Sequence, residues 1–109
     1  MIEKSKMLAD QLGECVHICN DCISACLKEK DVHMMVECIK LCKYCSTICS
    51  ATLQLVYKEA PLMREALNLC EEACRKCADE CRKHNNDHCK ECADACDKCA
   101  DLCHRFMSM

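Results

Sequence analysis

Uncharged positions recur along this chain at alternating steps of four and three residues, the period of a helix seam rather than of a strand. The seam is plainest in four stretches: CVHICNDCISAC at 15–26, CIKLCKYCSTIC at 38–49, CEEACRKCADEC at 70–81 and CADACDKCADLC at 92–103. All four spell C-x3-C-x2-C-x3-C. Written as heptads, each of these cysteines falls at a or d, and Cys89, three residues ahead of the fourth stripe, keeps the register. Apolar residues continue the seam outward: Leu8 and Leu12 before the first stripe, Val56 after the second, Met63 and Leu67 before the third, Phe106 after the fourth. The flanking e and g positions are mostly apolar as well (Val16, Ile18, Ile23, Ile39, Leu41, Ile48, and the alanines 73, 78, 93, 95 and 100 with Leu102). Lys, Glu, Asp and Asn fill most of what remains, so each stripe is predicted to line the buried face of an amphipathic helix.

Three polar breaks separate the stripes. KEKD at 28–31 divides the first two helices, with Asp31 a candidate N-cap. KEAPL at 58–62 divides the second from the third and places Pro61 where a first helical turn accepts it. KHNND at 83–87 divides the third from the fourth with turn and cap residues. Connections this short make successive helices antiparallel. The expected fold is all-α, an antiparallel up-down-up-down four-helix bundle with a Cys-lined core, forming a single Cys-rich domain over 1–109. Helices of roughly 20–27 residues would be about 30–40 Å long.

Composition then narrows the chemistry. Seventeen of 109 residues are Cys, against one Gly, one Pro and no Trp. A loop-rich disulfide scaffold would need far more Gly and Pro. The net charge of −3 argues against nucleic acid as a partner, and no apolar stretch has the length to span a membrane. The N-terminus, MIEKSKMLADQLGEC, has neither a long apolar run nor a small-residue cleavage site. That predicts a cytoplasmic chain without a signal peptide, whose thiols stay reduced.

One or two cysteines in a seam are ordinary core residues. Here every a and d position within four stripes is Cys, and each methylene a Leu or Ile would have added forgoes about 0.8 kcal/mol of burial. Packing alone does not select such a core. Neighbouring thiols on one helix are poorly placed for disulfides, so bridges would have to run between helices. Iron–sulfur clusters call for an irregular, closely spaced run, and a redox enzyme for one distinct exposed thiol; neither is present. The expected protein is a metal binder without catalysis.

Thiols at i and i+4 lie about 5–6 Å apart at Cβ. A two-coordinate ion needs a sulfur–sulfur span near twice a metal–sulfur bond of about 2.3 Å, which pairs such as Cys92/Cys96 and Cys99/Cys103 can meet. Tetrahedral zinc would want four sulfurs converging on a point, whereas these cysteines lie along lines. Thiolates in a dry core are costly unless neutralised. One Cu(I) per thiolate gives neutrality, and thiolate is the ligand class that selects Cu(I). The expected capacity is roughly 15–20 ions. The alternative is a zinc or general soft-metal sequestration protein.

Four helices carrying Cys-x3-Cys pairs toward a common core resemble the cytosolic copper storage proteins, over residues 15–103. The resemblance implies a bundle filled with Cu(I)–thiolate sites, assembled as a homotetramer, with copper donor and acceptor proteins as possible partners. It implies as ligands Cys15, Cys19, Cys22 and Cys26; Cys38, Cys42, Cys45 and Cys49; Cys70, Cys74, Cys77 and Cys81; and Cys92, Cys96, Cys99 and Cys103. Cys89 joins them by heptad register.

The two ends of the expected bundle differ. Cys26, Met35, Cys38, Cys81, His84, His88 and Cys89 gather at the end formed by the first and third connections, with no aliphatic layer. The other end collects Leu8, Leu12, Leu53, Val56, Met63, Leu67 and Phe106 into a plug. Copper is therefore expected to pass through the first end. His84, at a d position past Cys81, His88, directly before Cys89, and Met35, continuing the second seam, are candidate ligands at this mouth. His33 lies near the mouth but points outward, as do His17 and His104. Val36, Tyr44 and Tyr57 are outward apolar residues suited to a subunit interface.

Overall fold

The structure, a computed structural model, describes residues 3–58 and 61–108; the side chains of Glu3, Lys4 and Tyr57, the last a candidate interface residue, lie outside the described part. The elements are α1 (Glu3–Leu27), a 3-10 turn (Val32–Met35), α2 (Val36–Lys58), α3 (Met63–Cys81) and α4 (Asp87–Met107). Each helix packs against its neighbours in sequence, and α1 closes the ring against α4. Facing pairs set the directions. As residue numbers rise along α2 they fall along α3: Cys38 faces Cys81, Cys45 faces Cys74 and Cys49 faces Cys70, each at 3.6 Å between sulfurs. Cys15 with Cys96 and Cys19 with Cys92 run oppositely in the same way. The result is the expected up-down-up-down bundle, 44 Å long and about 20 Å across.

Residues flanking the seam set how closely the helices approach. Ala78, Ala93 and Ala100 are fully buried between α3 and α4, where small side chains let backbones come close. On α1 and α2 the same role falls to larger, half-buried residues such as Val16, Ile23, Ile39 and Ile48. Charged residues occupy the outside and pair locally, as Lys6 with Asp10 at 3.5 Å; such exposed pairs contribute little stability.

The helix starts depart from expectation in two places. Asp31 does not cap α2: a 3-10 turn intervenes, and the Asp31 side chain makes no capping bond. Its backbone carbonyl instead accepts from the Met34 N–H at 2.9 Å. The tight turn rotates Met35 inward, where it is 4% exposed. Pro61 lies before α3 rather than in its first turn, and Leu62 holds the N-cap position. Asn86 does hold that position for α4, with an extended backbone.

The plug is real, but its seam member on α2 is Thr52 rather than Leu53. Leu8, Leu12, Val56 and Leu67 are buried, and Thr52 is 1% exposed, while Leu53, Met63 and Phe106 are only partly buried. Thr52 is tolerated there because its hydroxyl donates to the Ile48 carbonyl at 2.7 Å, leaving no polar atom unsatisfied.

Candidate metal centre

All seventeen cysteines are free and buried, sixteen of them by the four stripes and one, Cys89, by the first turns of α4. Their sulfurs line the bundle axis. The diagonal helix pairs do not pack backbone to backbone among the described residues. Their sulfurs meet nonetheless: Cys42 and Cys92 at 3.6 Å, Cys45 and Cys96 at 3.8 Å, Cys38 and Cys89 at 4.0 Å. A thiol places a single heavy atom beyond Cβ, so the axis of this narrow bundle is sulfur.

Two i,i+4 pairs, Cys22/Cys26 and Cys45/Cys49, lie at 3.9 Å. That is shorter than the span of about 4.6 Å a linear two-coordinate ion would set at ~2.3 Å per bond, so small rotamer changes open them to the required width. Contacts between helices are equally short, and they change one expectation. The cysteines do not merely lie along lines. Cys15, Cys49, Cys74 and Cys99, one from each helix, bring four sulfurs within 4.8 Å of one another. The next group toward the mouth is Cys15, Cys19, Cys45 and Cys96. Then come Cys19, Cys77, Cys92 and Cys96; Cys22, Cys42, Cys81 and Cys92; and Cys22, Cys26, Cys38 and Cys89. Convergence of four sulfurs therefore does not separate zinc from copper here. Sharing does. Each group gives one or two sulfurs to the next, so isolated tetrahedral ions that each own four can fill only alternate groups, not the whole series. A divalent ion on four thiolates also leaves a charge of −2, costly to repeat in a dry core. Bridging thiolates with monovalent ions avoid both problems.

Two thiols at the mouth, Cys26 and Cys89, hold their protons more tightly than an ordinary thiol. Burial first, then the charge of Cys38 beside it, pushes the Cys26 thiol up to about 11. Burial, with Cys38 and Cys26 as charged neighbours, moves Cys89 in the same direction. Replacing a thiol proton by a monovalent cation leaves the charge at that sulfur unchanged, and the proton leaves to solvent.

At this end the heptad register puts His84 at an inward d position and His88 only beside Cys89, yet it is His88 that the structure places against the sulfurs. His88 Nδ1 lies 3.6 Å from the sulfurs of Cys22 and Cys89 and 4.0 Å from that of Cys26. His84 instead pairs with the buried Glu80, Nε2 to Oε2 at 3.1 Å, and faces a surface depression shared with Met35, Met34 and Asn86. Met35 stays in the core cluster. His17 and His104 are exposed and paired with Asp21 and Glu71, and His33 is exposed. Sequence reasoning missed Glu29, whose carboxylate reaches both His88 and Asn86 from the first connection. No spacing rule signals a contact between two connections 57 residues apart.

A family model described as copper storage protein matches residues 1–108. An uncharacterized cysteine-rich protein, YhjQ, of Bacillus subtilis (strain 168) is 39% identical over 70 residues, 64% of this chain. That match spans 65% of the relative's own length. Among solved structures, the Cu(I)-bound copper storage protein BsCsp3, from Bacillus subtilis, is 36% identical with a TM-score of 0.91, covering 98% of this chain and 100% of that one. A cytosolic copper storage protein from Streptomyces lividans with five coppers is 28% identical with a TM-score of 0.95, covering 98% of this chain and 94% of that one. With a sulfur-lined bundle in place and the family match running along nearly its whole length, the chain belongs to the copper storage protein family.

Proposed function

We propose that this chain is a cytosolic Cu(I) store. It takes up on the order of one ion per thiol, roughly 15–20 in all, through thiolates of a preformed bundle. The observation that carries the reading is the unbroken series of overlapping four-sulfur groups along the axis. Shared sulfurs suit bridging Cu(I)–thiolate clusters, and charge balance suits one monovalent ion per thiol. The ligands are the sixteen stripe cysteines and Cys89, with His88 the histidine best placed to join them at the mouth. The role is binding without catalysis, since seventeen thiols in like surroundings single out no nucleophile. The cytosolic assignment rests on the Streptomyces protein of that description and on soft, unpaired thiols that a reducing compartment preserves.

The direct test is anaerobic titration of the reduced, metal-free protein with Cu(I), following helicity by circular dichroism. Saturation at only one to four ions would sink the storage reading, and an unfolded metal-free chain would sink the preformed bundle. The four-sulfur groups also favour a second reading, zinc or general soft-metal sequestration. A parallel Zn(II) titration separates the two: zinc should stop at about four ions, the number seventeen thiols supply at four each.

Self-association into a tetramer follows from the family resemblance. Val36 and Tyr44 are exposed, and Leu41, Tyr44, Ile48 and Leu69 form an apolar groove between α2 and α3 that supports it. Sedimentation at several concentrations tests that point.

A further inference from the structure

We infer that Glu29 is a positioning residue for the mouth: it fixes the His88 imidazole with its proton on Nε2 and its Nδ1 lone pair on the thiols. The inference deepens the storage reading and rests on it for the meaning of the mouth. Glu29 lies in the connection between α1 and the 3-10 turn. Its Oε1 accepts from His88 Nε2–H at 3.2 Å and from the Asn86 amide Nδ2–H at 3.0 Å. A carboxylate can only accept at neutral pH, so the neutral ring carries its hydrogen on Nε2. Nδ1 then presents a lone pair to Cys22 and Cys89 at 3.6 Å and to Cys26 at 4.0 Å. With the other tautomer the same nitrogen would carry a hydrogen and have nothing to offer a soft cation.

Asn86 makes the arrangement rigid. It holds the N-cap position of α4, two residues before His88. The carboxylate is thus held by the same helical turn that carries the imidazole. Its cap side chain is free to serve this way because it makes no bond to its own helix. A carboxylate behind an imidazole sets ring orientation and strengthens its basicity toward a metal, and loss of such a partner typically costs 10–100-fold in affinity or rate. Glu29 touches no thiol in this arrangement; it acts through His88.

The test compares wild type, Glu29→Ala and Glu29→Gln. Nitrogen-15 NMR of the histidine rings in the reduced, metal-free protein reads the tautomer. Stopped-flow transfer from a Cu(I)–chelator complex reads the initial uptake rate. Wild type should give a single Nε2–H tautomer for His88. Glu29→Ala should give a tautomer mixture and uptake slowed roughly ten-fold. Glu29→Gln, whose amide oxygen can still accept from Nε2–H, should keep the tautomer and recover most of the rate. An unchanged tautomer or an unchanged rate in Glu29→Ala overturns the inference, as does equal impairment in Glu29→Gln. The tautomer is measured without metal, so it is decided separately from capacity; a wild-type chain saturating at a few ions would overturn the storage reading alone.

Discussion

His88 Nδ1 and the Cys22 sulfur face each other at 3.6 Å across the open end of the bundle. That contact joins α4 to α1 beside the buried four-sulfur group Cys22, Cys26, Cys38 and Cys89. His84, in the same neighbourhood, is held by Glu80 instead. His88→Ala should therefore slow both uptake of Cu(I) and its removal by a competing chelator, by roughly ten-fold, the scale of losing one ordered partner at a metal site. His84→Ala should change both rates by less than about two-fold on the same scale. Stopped-flow traces of the two variants side by side settle which histidine serves the mouth, and a reversed order would reassign it.

Capacity should depend on shared sulfurs more than on a simple count. Cys96 lies 3.8 Å from Cys19 and Cys45 and 3.9 Å from Cys15, and it belongs to two successive groups. Cys96→Ala should lower the Cu(I) saturation point by more than one ion, because each lost bridging thiolate leaves two neighbouring sites short of a ligand. Its stability cost in the metal-free chain should be modest, about 1 kcal/mol, since Cys is small. Cu(I) titration together with urea unfolding measures both effects.

The metal-free fold should weaken in alkaline solution. Cys26 is raised from an ordinary 9.0 to about 11 in the folded chain, mainly by burial, and Cys89 is raised for the same reason. Between those two values the unfolded chain releases a proton that the folded chain keeps. The folded state then binds more protons, so stability falls as pH rises. The contribution is intact below pH 9 and is lost as pH passes through about 11. Thermal melts of reduced, metal-free protein should give a flat Tm up to pH 9 and a decline above it. The Cu(I)-loaded chain, whose thiols are already deprotonated, should lack that decline. Matching profiles for the two forms would remove these thiols as its cause.

The plug should carry the metal-free fold out of proportion to its size. A core of thiols buries little carbon, whereas Leu12 and Leu67 are 0% and 2% exposed at the closed end. Leu67→Ala should destabilise the metal-free bundle by about 2–5 kcal/mol. Bound Cu(I) stabilises the folded state by linkage, so the same substitution should lower the Tm of the loaded protein far less visibly. Urea unfolding of the metal-free form and thermal melts of both forms check this.

Much of the molecule is legible in sequence because the heptad register is a local property. Steps of four and three put every stripe cysteine and Cys89 on one helix face, and short breaks force neighbouring helices to run oppositely. Together these fix the fold class, the buried thiols and the difference between the two ends. The register could not say how far sulfurs on different helices lie from one another. It therefore missed that four of them converge, a matter of interhelix distance set by alanines such as Ala78 and Ala100. Hydrophobicity preferred Leu53 to Thr52 in the plug although the register itself reaches Thr52, because it was read without the backbone bond that satisfies a buried hydroxyl. The register also favoured His84, at a d position, over His88, whereas His88 is the one that lies against the sulfurs. Their partners, Glu80 in the last turn of α3 and Glu29 from the first connection, decide which ring turns to the thiols. The sequence by itself determined a thiol-lined bundle with an aliphatic plug at one end only. Only the tertiary structure decided which side chains surround the thiols at the other end, because that depends on contacts between segments far apart in the chain that no periodicity encodes.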